Sequence, residues 1–129
     1  MNSDYKDNRP FLKSVFRSFK YAIQGIIHAA KRERNLQIHF VISIMVISLG
    51  IFLNLSHVEW IFIVLAIGGM LSLELLNTAI ERVVDLVTTE YHPLAKQAKD
   101  AAAGAVFIYA ILSVIVGVII FLPKILTLL

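Results

Sequence analysis

No cysteine occurs in the sequence, which excludes disulfide bonds, a thiolate nucleophile and zinc sites built on thiolates. The G-x-x-x-x-G-K-[ST] loop of P-loop nucleotide-binding proteins and the H-R-D and D-F-G motifs of protein kinases are also missing. A cleavable signal peptide is not expected, because Lys13, Arg17 and Lys20 stand where its apolar core would have to lie. The net charge of +3 is modest, and no nucleic-acid partner is predicted.

Charged residues make up only 16% of the 129 positions, whereas 58% are apolar and the mean hydropathy is +0.78. This composition is too apolar for an ordinary soluble domain, and the length fits a single domain over residues 1–129. Residues 36–55 contain no Asp, Glu, Lys or Arg and are long enough to cross about 30 Å of hydrocarbon. Two further helices containing spans are predicted over residues 58–85 and 101–122, and Pro93 suits the first turn of a new helix. The fold class predicted is therefore an all-α integral membrane protein with three transmembrane helices.

Residues 11–28 predict an amphipathic helix in front of these spans. Apolar residues recur along one side at helical spacing, and basic residues lie on the other. Such a helix suits a membrane interface with anionic headgroups, although a helix packed on a soluble protein would bury the same stripe. Eight of the twelve Lys and Arg residues precede Asn35, and three lie between Arg82 and Lys99. The positive-inside rule therefore places the N-terminus and the second connection in the cytoplasm of a cell-membrane protein, and the C-terminus outside.

The second predicted span carries an acidic face. On a helix, Glu74, Glu81 and Asp85 fall within about 40° of one another, flanked by Asn77 and Thr78. Ionisable groups at bilayer depth cost roughly 2.5–3.5 kcal/mol on insertion scales and commonly mark a functional site. The alternative is a helix that leaves the membrane, with Glu81 and Asp85 solvated and Glu74 paired to a neighbouring helix.

The carboxylates on this face are predicted to have different roles. Glu74 and Glu81 are separated by roughly 10 Å of helical rise, too far to share one Mg²⁺ ion. Glu81 is suited to hold a divalent cation together with Glu33, although Glu33 could equally be a surface ion-pair partner. Glu74 is suited to be a general base, because a carboxylate in dry surroundings holds a proton more strongly. With Lys99 as a charge for phosphate, the pattern indicates a magnesium-dependent reaction, and it leaves open a carboxylate-coupled transporter or a non-catalytic scaffold subunit.

Two further features of the spans have structural interpretations. His39, near the start of the first span, is expected to form a hydrogen bond across helices rather than to ligate a metal, and it is assigned no role. Gly68, Gly69 and Ser72 form a small-residue patch that favours close helix packing over a gap for a lipid chain.

Two blocks of sequence resemble a known family. E-L-L-N-T-A-I-E-R-V-V-D at residues 74–85 and E-Y-H-P-L-A-K-Q-A-K-D at residues 90–100 are similar to the signatures of the bacterial diacylglycerol kinase and undecaprenol kinase family of small integral membrane kinases. The resemblance covers nearly the whole chain from Phe11. It implies ATP- and Mg²⁺-dependent phosphorylation of a membrane lipid alcohol by a homotrimer with active sites shared between subunits. The run at residues 99–105 looks like the Gram-positive branch, which favours undecaprenol over diacylglycerol as the substrate.

The resemblance also implies roles for individual residues. Glu74 matches the family's catalytic base, and Glu33 and Glu81 match its magnesium-binding carboxylates. The remaining matches to positions that contact ATP, or that form the polar site around it, are Tyr21, Asn77, Asp85, Glu90, Tyr91, His92, Lys99 and Asp100.

The chain departs from the family pattern near its first two helices. The family's basic residue close to the start of the amphipathic helix aligns with Ser14, so either Lys13 or Arg17 is expected to take over its contact with ATP. The segment around Glu33 differs from the tryptophan-richer proteobacterial members, which also have an acid where His39 stands here.

Overall fold

The computed structural model describes residues 11–128, and these residues form four α-helices with no strand. The helices are α1 (Phe11–Arg32), α2 (Arg34–Phe52), α3 (His57–Val87) and α4 (Pro93–Leu126). Three of them, α2 to α4, are long and apolar enough to cross a membrane. The predicted fold class is therefore confirmed, whereas residues 1–10 and 129 of the predicted domain lie outside the described residues.

The connection between α1 and α2 is a single residue. α1 continues past its predicted end at residue 28 to Arg32, and α2 begins at Arg34. The basic residues Lys31, Arg32 and Arg34 therefore lie within helices. Glu33 interrupts them in an extended conformation, with φ −98° and ψ 111°. The side chain of Gln37 bridges the break by donating to the carbonyl of Ala30 at 2.9 Å. Two helices separated by one extended residue thus lead from the amphipathic segment into the first span.

The turn between α2 and α3 covers residues 53–56, whereas the predicted helices end at residue 55 and begin at residue 58. α2 ends at Phe52 rather than residue 55, because Asn54 adopts a left-handed φ of 49°, a conformation that asparagine tolerates. Ser56 and Glu59 form a capping box, in which each side chain accepts a hydrogen bond from the other's backbone N–H. Glu59 therefore belongs to the first turn of α3, where it also pairs with Lys124 of α4 at 3.2 Å.

The last helix extends beyond its predicted span at both ends. Pro93 occupies its first turn as predicted, and the ring Nδ1 of His92 accepts a hydrogen bond from the backbone N–H of Leu94. With 31 and 34 residues, α3 and α4 are about 46 and 51 Å long, which exceeds the roughly 30 Å of bilayer hydrocarbon. Both helices are therefore longer than the apolar layer is thick.

The buried core lies at the opposite end of the bundle, near the α2–α3 turn. Leu55, Ile63, Ile120 and Phe121 form its centre, and partly buried side chains including Trp60 pack around them. Most other large apolar side chains of α2 to α4 are exposed in the single chain. A bundle with an apolar outer surface is typical of proteins that face lipid or partner subunits.

One half of the small-residue patch provides the close contact expected of it. The hydroxyl of Tyr109 on α4 donates to the backbone carbonyl of Leu65 on α3 at 2.8 Å, and the phenol ring lies against Gly69. A Cβ atom at Gly69 would overlap this ring, whereas a Cβ atom at Gly68 would meet open space. Gly69 therefore allows α4 to approach α3, and Gly68 has no such role within the chain.

We predict that Gly69→Ala lowers the free energy of unfolding by about 1–3 kcal/mol, because its methyl group would push Tyr109 and α4 away from α3. The measurement is thermal unfolding in detergent, followed by circular dichroism. Gly68→Ala is the matched control and is expected to cost nothing, since it adds a better helix former in open space. Equal losses in the two variants would show that the Tyr109 contact does not set the packing.

Candidate active site

The acidic face of α3 passes from buried to exposed along the helix. Glu74 is only 4% exposed and Thr78 is 6% exposed. Asn77 and Glu81 are partly exposed, and Asp85 is exposed. The predicted separation of a deep carboxylate from carboxylates near the end of the span therefore matches the burial along α3.

Glu74 is paired with a side chain of α2. Its Oε1 atom lies 3.2 Å from Nε2 of His39, whose side chain is 23% exposed. No other polar partner of Glu74 is found within residues 11–128. His39 thus reaches a polar group on another helix, as expected, although the contact is an ion-pair distance. The pairing of Glu74 with a neighbouring helix, which the sequence offered as the alternative to a functional role, is also present. Sequence reasoning assigned His39 no role, although a single ionisable group near the start of one span, facing a single buried carboxylate on the next, is a recognisable signal.

One turn further along α3, Asn77 and Glu81 are joined by their side chains. The amide Nδ2 of Asn77 donates to Oε1 of Glu81 at 3.1 Å. The amide oxygen of Asn77 is buried and has no hydrogen-bond partner in the described part of the chain. Unpaired buried acceptors cost about 1–3 kcal/mol and are uncommon, so this oxygen is available to a donor or a cation.

The break between α1 and α2 brings Glu33 to the same part of α3. Its carboxylate makes no hydrogen bond to the start of its own helix and instead accepts one from Nη2 of Arg82 at 2.8 Å. Both side chains are partly exposed, at 32% and 45%. An ion pair of this exposure contributes about 0–1 kcal/mol, so Glu33 can exchange its partner at little cost.

The connection between α3 and α4 supplies further charged groups. Nζ of Lys99 on α4 forms an ion pair with Asp85 on α3, and Asp100 pairs with Lys96 one turn away. In the connection itself, the backbone N–H of Glu90 donates to the hydroxyl of Thr88 at 3.2 Å. Beside it, Tyr91 is 82% exposed and His92 caps α4.

We refer to the region formed by Glu33, Asn77, Glu81, Asp85 and Lys99 as the polar end of the bundle. Oxygen atoms of the kind that Mg²⁺ prefers come from its carboxylates and from the unpaired amide oxygen. No group of three or more His, Asp or Glu side chains suited to hold a metal ion occurs within residues 11–128, since the carboxylates engage amide, guanidinium and ammonium groups.

The predicted site residues of α1 are less closely associated with the polar end. α1 contacts both α2 and α3. Lys13 and Tyr21 are exposed on it, and Arg17 is partly buried. In the described part of the chain, no hydrogen bond or ion pair joins Lys13 or Tyr21 to the polar end. The structure therefore brings together the residues of α2, α3 and α4 and leaves those two α1 side chains apart.

A cavity of about 280 Å³ lies among α2, α3 and α4, next to the His39–Glu74 pair. Its lining is apolar except for three side chains, His39, Ser43 and Ser113. The hydroxyl of Ser113 is buried without a hydrogen-bond partner in the described chain. An apolar cavity with a few polar groups at its wall suits a hydrocarbon chain that ends in a polar group.

Proteins of known name are similar to this chain over most of its length. The model of the prokaryotic diacylglycerol kinase family matches residues 20–121. An undecaprenol kinase of Bacillus subtilis is 54% identical over 121 residues, which are 94% of this chain and 98% of that protein. A diacylglycerol kinase of Synechocystis is 46% identical over 86% of this chain and 64% of its own length. A diacylglycerol kinase of Haemophilus influenzae is 35% identical over 85% of this chain and 94% of its own length.

Proposed function

The chain belongs to the prokaryotic diacylglycerol kinase family, and from this premise we propose that it transfers the γ-phosphoryl group of ATP to undecaprenol. It is a multi-pass membrane protein and a lipid kinase, and a kinase requires a nucleotide as phosphoryl donor. The observation that supports undecaprenol is the 54% identity to the Bacillus undecaprenol kinase over almost the whole of both chains. Diacylglycerol is the alternative acceptor, since the family includes many diacylglycerol kinases.

Glu74 is the proposed general base. It accepts the proton of the lipid hydroxyl while the hydroxyl oxygen forms a bond to the γ-phosphorus and the bond to the β–γ bridging oxygen breaks, which releases ADP. Its burial in α3 supports this role, because a lipid alcohol presents its hydroxyl near the boundary of the apolar layer. The same burial excludes water that would compete with the alcohol for the phosphoryl group.

Mg²⁺ is the proposed metal ion, with Glu33 and Glu81 as its carboxylate ligands. Their carboxylate oxygens and the unpaired amide oxygen of Asn77 are donors of the kind that Mg²⁺ prefers. When bound with the nucleotide, Mg²⁺ neutralises the charge of the phosphate oxygens. Glu33 is paired with Arg82 in the unliganded chain. Because this ion pair is exposed and contributes little stability, the carboxylate can leave Arg82 to bind the metal ion at little cost.

The nucleotide is proposed to bind at the polar end and the adjacent connection. Lys99 offers a positive charge for phosphate once it leaves its exposed ion pair with Asp85. The other proposed contacts are Tyr21, Asn77, Asp85, Glu90, Tyr91, His92 and Asp100, with either Lys13 or Arg17 from α1.

The proposed assembly is a homotrimer of single-domain subunits with active sites shared between them. The exposed apolar surface of α2 to α4 supports contact with partner subunits and lipid. The proposed location is the cell membrane, with the N-terminus and the polar end in the cytoplasm and the C-terminus outside. The eight Lys and Arg residues before Asn35 support this orientation.

Glu74→Gln is expected to reduce phosphoryl transfer by about 10²–10⁴-fold, because an amide cannot accept the proton of the alcohol. Folding should be retained, since Gln has nearly the shape of Glu and its amide oxygen can face His39 at the same place. Transfer from labelled ATP to lipid in bilayers, together with thermal unfolding, measures both properties. Glu59→Gln, at the opposite end of α3, is the control and should keep its turnover. Full turnover in Glu74→Gln would exclude Glu74 as the base.

Glu33→Gln and Glu81→Gln are expected to raise the Mg²⁺ concentration for half-maximal activity by more than about 10-fold. Loss of a residue that only supports a metal ligand already weakens metal binding by about 10-fold or more, and loss of a ligand itself should cost at least as much. Activity is measured over a Mg²⁺ titration at fixed excess of ATP and lipid. Lys96→Gln changes a charge near the polar end without removing a proposed ligand, so its Mg²⁺ requirement should stay normal. A lower turnover with an unchanged Mg²⁺ requirement in both Glu variants would contradict their assignment as ligands.

The acceptor preference is tested by offering labelled ATP to the purified protein with undecaprenol or diacylglycerol in separate bilayers of the same composition. We expect a higher kcat/KM for undecaprenol. A higher kcat/KM for diacylglycerol would overturn the proposed substrate and leave the assignment as a lipid kinase intact.

A further inference from the structure

The contact between Glu74 and His39 points to a function for a residue that the proposed mechanism does not use. Glu74 has three rotatable side-chain bonds, and a carboxylate that must accept a proton in one direction works best in one orientation. Its polar contact within residues 11–128 is the 3.2 Å approach of His39 Nε2 to Oε1. The orientation of the carboxylate therefore depends on a side chain of α2.

The side chain of His39 belongs to two features of the site. Its Nε2 atom lies 3.2 Å from Oε1 of Glu74, and the residue is also one of the polar groups that line the cavity. Nε2 is the ring atom that faces the carboxylate, and an Nε2–H group at this position could donate to Oε1.

We propose that His39 is a positioning residue, whose Nε2–H group holds Oε1 of Glu74 so that Oε2 faces the hydroxyl of the lipid alcohol. This inference rests on the proposed function of Glu74 as the base. In the reaction, the proton of the hydroxyl moves to Oε2, the hydroxyl oxygen bonds to the γ-phosphorus, and ADP leaves with the electrons of the broken phosphorus–oxygen bond. His39 keeps its own proton throughout.

Because His39 also lines the cavity, a simpler role in binding the lipid chain has to be distinguished from the orientation of Glu74. A residue that only lines the site for a lipid chain affects the binding of the lipid, and its loss raises KM. A residue that orients the base affects the chemical step, and its loss lowers kcat at saturating lipid and ATP. The 3.2 Å approach of His39 Nε2 to Glu74 Oε1 predicts the second behaviour.

Three substitutions at His39 test the proposal in a bilayer assay with undecaprenol and labelled ATP. His39→Leu removes the donor and keeps an apolar side chain at the cavity, and we expect it to lower kcat by about 100-fold, the scale of a misplaced catalytic group. The KM values for lipid and ATP should change little. His39→Gln places an amide N–H near the position of Nε2 and should recover most of kcat. His39→Asn has a shorter side chain, does not reach Glu74, and should remain as slow as His39→Leu.

The double variant His39→Leu/Glu74→Gln shows whether His39 acts through Glu74. If it does, the double variant is no slower than Glu74→Gln alone, because the positioned group is already inactive. A further loss of the same size in the double variant would overturn the proposal. So would a normal kcat in His39→Leu, or a change confined to the lipid KM.

Loss of folding is separated from loss of positioning by thermal unfolding of each variant in detergent. If His39→Leu does not fold, the comparison of His39→Gln with His39→Asn decides, and equal kcat values in these two would overturn the proposal. The proposed function fails separately. Full turnover in Glu74→Gln would remove the base itself, whereas an inactive Glu74→Gln with normal His39 variants would reject only the positioning role.

Discussion

A carboxylate buried among apolar side chains needs a polar partner, and this requirement links the spans of the protein at Glu74. The side chain is 4% exposed in the middle of α3, and its partner, His39, comes from α2. The pair connects two helices at the same depth at which the cavity opens among α2, α3 and α4. The site of proton transfer in the proposed reaction is therefore part of the helix packing and not an addition to its surface.

The charges of the polar end, unlike Glu74, are exposed or partly exposed. Glu33, Asp85 and Asp100 pair with cations in exposed or partly exposed surroundings, where each pair contributes about 0–1 kcal/mol. Such pairs rearrange at little cost, which suits a region that is proposed to receive a charged nucleotide and its metal ion. A buried and oriented base is thereby joined, along one helix, to a group of charges that can change partners.

One cluster of buried apolar side chains lies away from both sites. The core formed by Leu55, Ile63, Ile120 and Phe121 lies near the α2–α3 turn, where the capping box of Ser56 and Glu59 also begins α3. Between this core and the Glu74 site, the contact of Tyr109 with Gly69 brings α4 close to α3.

The amino-acid sequence by itself determined the number and order of the helices, the membrane class and the acidic face of α3. These properties depend on local patterns, namely apolar length, helical spacing and the signature blocks at residues 74–85 and 90–100. The helix ends were less predictable, because the left-handed Asn54 and the capping box at Ser56 depend on a few hydrogen bonds. Only the tertiary structure decided that Glu74 meets His39, that Glu33 meets Arg82 and that Gly69 rather than Gly68 receives Tyr109. Each of these contacts joins residues far apart in the chain, and the relative rotation and depth of packed helices set them, which periodicity along one helix does not specify.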